Sequence, residues 1–273
     1  MSLLELRDVC KTFRALGREP VVALNNVNLT AEAGAITGLV GESGSGKTTI
    51  IRSIMGLERP TSGSVGYDGI NIPTAKGSDL RRIRREIQFV FQDPTSSLNP
   101  RMTVEALVGE GLVVHKLVPD KARRRERVVE LLQMVGLNER DIYRHPRSFS
   151  GGQRQRIAIA RALAVQPKLL ICDEPVSALD VSVQAQVLNL LQDMQEELGF
   201  TVLFIAHDLA VVKQICSRVA VIQAGHIVEE GPSAEVLASP THPYTKALLA
   251  AVPMPDPVVA RERALARIAE HVA

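Results

Sequence analysis

Eight residues, Gly41-Glu42-Ser43-Gly44-Ser45-Gly46-Lys47-Thr48, set three glycines, a lysine and a threonine directly after the apolar run "AITGLV". They satisfy G-x-x-x-x-G-K-[ST], and the required context is present, a strand before and "KTTIIRSIMGL" with helical apolar spacing after. Glycines let successive N–H groups turn inward, and the following helix adds the positive end of its dipole to the same cavity. The result is an anion cradle. In it Lys47 reaches the β- and γ-phosphates of a nucleoside triphosphate, the Thr48 hydroxyl ligates Mg²⁺, and Thr49 completes the phosphate-facing run. A ligand-free glycine turn is the competing account, and lysine followed by threonine at this offset disfavours it.

Hydrolysis would need carboxylates near that cradle. "LLICDEP" puts Asp173 and Glu174 at the C-terminal end of an apolar strand, where an open parallel sheet places its ligands. Asp173 can hold Mg²⁺ through water, and Glu174 can polarise an attacking water as general base. Adjacent acids are a weak signal alone and a strong one beside a phosphate loop. His207 ends another apolar run, "TVLFIAH". A lone histidine is more often structural, but at a neighbouring strand end it can hydrogen-bond a γ-phosphate oxygen. Gln92 ends "IQFVFQ", and its neutral amide can join the metal's water shell without adding charge.

A second helix start has similar chemistry. "SFSGGQRQRIAIARALA" offers Ser150 as N-cap, then Gly151, Gly152 and Gln153 in the first turn, with apolar residues at helical spacing behind them. Free N–H groups and a helix dipole make this another anion site. A γ-phosphate held from one side is open to water, whereas a second helix start from a different chain could close over it. ATP would then join two chains, and hydrolysis would release them. Taken alone, "SGGQ" is equally an ordinary capped helix.

These residues need a scaffold. "LLELRDV" and "VVALNNVNLT" alternate and predict an antiparallel β element at the N-terminus. From about residue 93 to 147 helical patterns predominate, predicting an inserted helical subdomain. "KLLICD", "TVLFIAH" and "RVAVIQAG" are short apolar strands alternating with helices such as "SVQAQVLNLLQDMQEEL". The predicted class is α/β, a P-loop NTPase core with a parallel sheet. The main domain is expected over 1–253, with a distinct C-terminal segment at about 231–253 and a tail or surface helix over 254–273.

Composition narrows the partners. The chain of 273 residues is 45% apolar and 23% charged, ordinary for a globular protein. Its formal charge of +2 is too small to argue for nucleic acid, and "RRIRRE" and "KARRRER" read as solvated helix faces. Three cysteines, Cys10, Cys172 and Cys216, lack disulfide or metal spacing, and Cys172 reads as a small buried apolar residue. "MSLLELRDVC" does not read as a signal peptide, and no apolar run approaches the ~18 residues of a membrane span.

Together the residues resemble the nucleotide-binding subunits of ABC transporters. The phosphate loop, Gln92, "SGGQ" at Ser150–Gln153, "DEP" at Asp173–Pro175, "SALD" at Ser177–Asp180 and His207 occur in that family's order, over about Leu3 to Pro253. The resemblance implies a head-to-tail ATP sandwich, with the signature of one subunit facing the phosphate loop of another. It implies that Phe13 stacks on adenine, a core phenylalanine being the alternative, and that Asp180 lies on a loop crossing the dimer interface. Phe149 stands where most relatives have leucine, an apolar exchange outside the phosphate-contacting residues.

"FQDPTSSLNPRMTV" and "SPTHPYTKALLAAVP" are similar to the importers of dipeptides, oligopeptides and nickel. His242, Pro243 and Tyr244 fall in the second stretch, where a helix opened by proline with Leu248 and Leu249 packed inward is a complete structural account. This likeness implies ATP and Mg²⁺ as cofactors, a second ATPase subunit and transmembrane permeases as partners, and an extracellular binding protein acting indirectly. It also implies a peripheral position on the cytoplasmic face of the membrane. A soluble ABC-type ATPase in an enzyme complex such as phosphonate breakdown, and a degenerate binding-only subunit, are the competing classes. Lys47, Glu174 and His207 together disfavour the last.

Overall fold

A computed structural model describes residues 1–14, 17 and 19–251; the expected tail over 254–273 lies outside the described residues. In chain order the elements begin with β1 (Ser2–Phe13), β2 (Val21–Glu32), β3 (Ile36–Val40), α1 (Lys47–Ile54), β4 (Ser62–Tyr67), β5 (Ile70–Asn71), α2 (Gly77–Glu86) and β6 (Ile87–Val90). A helical stretch follows with α3 (Pro94–Ser97), α4 (Val104–Val114) and α5 (Lys121–Met134). The chain then runs through α6 (Gly151–Leu163), β7 (Leu169–Asp173), α7 (Val181–Leu198), β8 (Thr201–Ala206) and α8 (Leu209–Ile215). It continues with β9 (Arg218–Gln223), β10 (His226–Pro232), α9 (Ser233–Ala238) and α10 (Pro243–Ala251).

Two sheets organise these elements. The first, in the order β2-β1-β4-β5, is antiparallel, as the alternating N-terminal segments predict. The second runs β10-β9-β3-β8-β7-β6; it is parallel from β9 to β6, and β10 joins antiparallel at the edge as a hairpin with β9. That edge adds one antiparallel strand to the parallel sheet expected from sequence. The tight turn at Ala224–Gly225, both with positive φ, leaves no room for a crossover helix, so the strand can only return antiparallel.

The central strands are buried on both faces, which is why they read as continuous apolar runs. All five residues of β3 are buried, and alternate positions along the strands supply two cores. Val40, Cys172, Val202 and Phe204 point to the core shared with α4 to α8. Leu39, Ile171, Leu203 and Ile205 point to the core shared with α1, α2 and the antiparallel sheet. The central strands are thus clamped between layers, and their ends reach the surface.

Candidate nucleotide site

The site is built at those strand ends. Register places Val40 of β3 level with Ala206 of β8, Asp173 of β7 with Ile205, and Val90 of β6 with Cys172, so four neighbouring parallel strands finish along one line. The phosphate loop leaves β3, His207 follows β8, Asp173 ends β7 with Glu174 next, and Gln92 follows β6. Gln92 lies two residues past its strand rather than ending it. Asp93 caps α3, accepting the N–H groups of Thr95 and Ser96 at 2.7 and 3.2 Å, and this pulls the chain out of the ladder early.

The loop's glycines have separate physical reasons. A β-carbon on Gly41 would lie 2.2 Å from the Ile222 carbonyl oxygen, so the close approach of β9 excludes any side chain. Gly44 and Gly46 have φ of 81° and 116°, a region glycine enters without strain. Lys47, only 8% exposed, folds back so that its ammonium donates to the carbonyls of Gly41 at 2.5 Å and Glu42 at 2.8 Å. Burial pushes that ammonium's pKa down, against the attraction of Glu174, Asp173 and Glu42. Thr48 is exposed and Thr49 half-buried, while the Ser45 hydroxyl is buried without a hydrogen-bond partner.

Opposite the loop, the Glu174 carboxylate receives the Gln92 amide at 3.2 Å and lies 3.1 Å from His207 Nδ1. Ser177 joins the cluster, its hydroxyl oxygen accepting from Gln92 at 3.3 Å. The Glu174 side chain is 17% exposed and that of His207 57%, so the carboxylate is sheltered and the imidazole open. Glu174 has φ of 45°, rare for a non-glycine residue, and its N–H is fixed to the Ile205 carbonyl at 3.0 Å. This turn aims the carboxylate along the strand ends at a cost of roughly 1–2 kcal/mol. Burial pushes the Asp173 carboxyl up, Glu174 adds to that, and Lys47 opposes it.

The remaining expected residues sit apart. Ser150 caps α6 in a closed box, its hydroxyl accepting Gln153 N–H at 3.3 Å while Gln153 Oε1 accepts Ser150 N–H at 3.0 Å. β-Carbons on Gly151 and Gly152 would meet Leu179 Cδ2 at 3.2 Å and Val183 Cγ1 at 2.4 Å, so this pair is small because the segment leading into α7 and its first turn pack against it. Asp180 is the N-cap residue of α7, with no side-chain cap bond. Among the described residues no hydrogen bond or ion pair links Ser150–Gln153 to the phosphate loop. Phe13 is 36% exposed at the end of β1, its ring 4.9 Å from the Lys11 ammonium. It pairs with Val21, close in β2 to the Ala23 carbonyl that bounds Gly46, so the ring belongs to the hairpin end beside the loop rather than to the core.

Sequence reasoning missed two members of this neighbourhood. Ser177 was seen only as part of "SALD". Tyr244, whose hydroxyl oxygen accepts the Glu42 N–H at 3.0 Å, lies 202 positions away, and no local spacing announces it.

A phosphate loop after the first parallel strand, with an acidic strand end opposite, defines a P-loop nucleoside triphosphatase. The family model for the ABC transporter matches residues 24–177, and that for the oligopeptide/dipeptide transporter, C-terminal region, matches 228–272. The chain belongs to the ABC transporter family. It is 53% identical over 262 residues to the oligopeptide transport ATP-binding protein OppF of Streptococcus mutans, covering 96% of this chain and 85% of the relative. Identity to the dipeptide transport ATP-binding protein DppF of Lactococcus lactis is 51%, with the same coverages. Among solved structures, the ATP-binding cassette MJ0796, a dimer in a post-hydrolysis state bound to ADP and Pi, superposes with TM-score 0.75 at 36% identity, covering 84% of this chain and 98% of that one. The structure of cbiO1 from Clostridium perfringens, part of the cbiONQ ABC transporter complex, superposes with TM-score 0.77 at 30% identity, covering 87% and 91%.

Proposed function

We propose that this chain is the ATP-hydrolysing subunit of an ABC importer for oligopeptides or dipeptides, coupling ATP binding and hydrolysis to translocation by partner permeases. The observation that carries the reading is the convergence of the phosphate loop, Asp173–Glu174, His207 and Gln92 on the ends of four adjacent strands. The names of the relatives and the match at 228–272 support a peptide cargo.

In this reading Gly41–Thr49 wrap the phosphates. Lys47 exchanges the loop's own carbonyls for phosphate oxygens, which restores a counter-charge to a buried cation. Phe13 lies against adenine. Glu174 accepts the proton of the attacking water; His207 holds Glu174 before ATP arrives and turns to the γ-phosphate when it does. Thr48, Asp173 and Gln92 supply hydroxyl, carboxylate and amide oxygens, a donor set suited to Mg²⁺, which would neutralise charge developing on the phosphates. The partnerless Ser45 hydroxyl fits the same cradle.

Ser150–Gln153 and Asp180 act across the interface with a second ATPase subunit, a role supported by their separation from this chain's own loop. The helical subdomain, about 93–147, carries the permease contact. A groove of about 360 Å³ runs between it and the sheet, lined by Ile83, Gln88, Phe91, Val114, His115 and Arg161, with Phe91 and Val114 exposed. Among the described residues no helix is long and apolar enough to cross a membrane, so translocation falls to the permeases. The subunit works as a peripheral protein on the cytoplasmic face, and an extracellular binding protein selects cargo.

Affinity purification of the full chain from solubilised membranes is the test. Multi-span permease subunits should copurify; a soluble assembly of enzymes in their place would overturn the importer reading. Lys47→Ala should abolish ATP binding, and a titration matching the wild type would remove the cradle.

A further inference from the structure

The phosphate loop is gripped from outside its own motif at two points. On one side the Gly225 N–H donates to the Ser45 carbonyl at 2.8 Å. On the other, the Tyr244 hydroxyl oxygen accepts the Glu42 N–H at 3.0 Å.

Tyr244 is itself anchored. Glu229 on β10 accepts the Thr241 N–H and hydroxyl on Oε1 at 2.7 and 2.9 Å, and the His242 N–H on Oε2 at 3.1 Å. His242 Nδ1 then accepts the Tyr244 N–H at 3.2 Å. Pro243 opens α10 between them, and Tyr244, Leu248 and Leu249 pack on the core. Strand, turn and helix together present one phenolic oxygen to one loop amide.

A loop with left-handed glycines at 44 and 46 has many conformations available, and ordering it on binding costs conformational entropy. A contact that restrains it beforehand lowers that cost and strengthens binding. We infer that Tyr244 is a positioning residue for the nucleotide: by holding the Glu42 N–H it keeps the phosphate loop open and ordered, and it makes ATP affinity depend on the C-terminal segment anchored at Glu229. This rests on the ATP site proposed above.

The experiment compares the full wild-type chain with Tyr244→Phe, titrated with ATP and Mg²⁺. The expected result is binding weakened by about threefold to tenfold, the share of one hydrogen bond. Turnover at saturating ATP should stay at the wild-type value, because Gln92, Glu174 and His207 are untouched, and the nucleotide-free melting midpoint should fall by no more than the share of one hydrogen bond. Amide exchange at Glu42 should accelerate. Glu229→Gln should shift affinity the same way by less, and adding it to Tyr244→Phe should change little further. Wild-type affinity in Tyr244→Phe overturns the inference, and so does a loss of turnover and melting midpoint with affinity unchanged. If Lys47→Ala also binds ATP like the wild type, the site itself is wrong; if it does not bind, only the role of Tyr244 falls.

Discussion

The helix starts at Lys47 and at Gly151 both point N–H groups outward after glycines, yet they are held differently. Around the first, Gly41 and Gly46 are packed against backbone from β9 and β2, a buried lysine turns inward, and distant residues brace the loop at Glu42 and Ser45. The second is closed by its own first turn through the Ser150–Gln153 box, and its glycines are explained by Leu179 and by Val183 of α7. One is braced from elsewhere in its own chain. The other is a surface with a capped helix start, beside which Arg154 donates to the Phe149 carbonyl at 2.5 Å; under the proposed function it faces another subunit's nucleotide.

Glu174→Gln tests that pairing with the largest effect. Removing the base should lower hydrolysis by about 10²–10⁴-fold while ATP still binds. The variant should accumulate as a dimer on size-exclusion chromatography with ATP and Mg²⁺. A variant that hydrolyses normally would show the base misassigned, and one that stays monomeric with ATP bound would separate the two helix starts.

Glycine replacements sharpen the contrast. Gly46→Ala forces a side chain into φ of 116° with its β-carbon 2.9 Å from the Ala23 carbonyl oxygen, so ATP binding to the isolated chain should be lost. Gly152→Ala pushes on the Val183 side chain instead, and should cost about 1–3 kcal/mol of stability while the single chain still binds ATP. Equal losses of binding in both would mean the two turns serve one intrachain pocket. Ser150→Ala should be milder still, about 1 kcal/mol for a lost cap, with ATP affinity of the single chain unchanged and ATP-driven dimerisation weakened.

How much of this was legible follows from distance along the chain. The phosphate loop, the Ser150 cap and the acidic strand end are local patterns, so residue type and spacing suffice to propose them. The parallel sheet was legible because its strands are buried on both faces and read as apolar runs. Its antiparallel edge, β10, was not, since "HIVEEGP" is exposed or half-buried except at Gly231 and offers no apolar run. The cluster of Gln92, Glu174, Ser177 and His207 could be guessed only as strand ends, because register, not sequence, sets which ends are neighbours. Glu174's left-handed backbone carries no sequence mark at all, since glycine is the usual signal for it. Tyr244 was given a purely structural account for the same reason: nothing local connects it to Glu42.

The smallest prediction concerns the brace that only the phosphate loop has. Burial disfavours the Glu229 carboxylate, but the N–H groups of Thr241 and His242 and the Thr241 hydroxyl outweigh it, and its pKa falls from the ordinary 4.5 to about 2. The folded state therefore binds this proton less readily than the unfolded chain, so Glu229 contributes stability that is full above 4.5 and is lost as pH falls towards about 2. Wild-type chain should melt above Glu229→Gln at neutral pH, and the gap should narrow only on acidification below 4.5. A gap that closes already near neutrality would assign the effect to a histidine rather than to Glu229. Because Ser150 and Gln153 are held by neutral groups, the difference between wild type and Ser150→Ala should stay level over the same range, and a parallel decline there would show that acid loosens both turns alike.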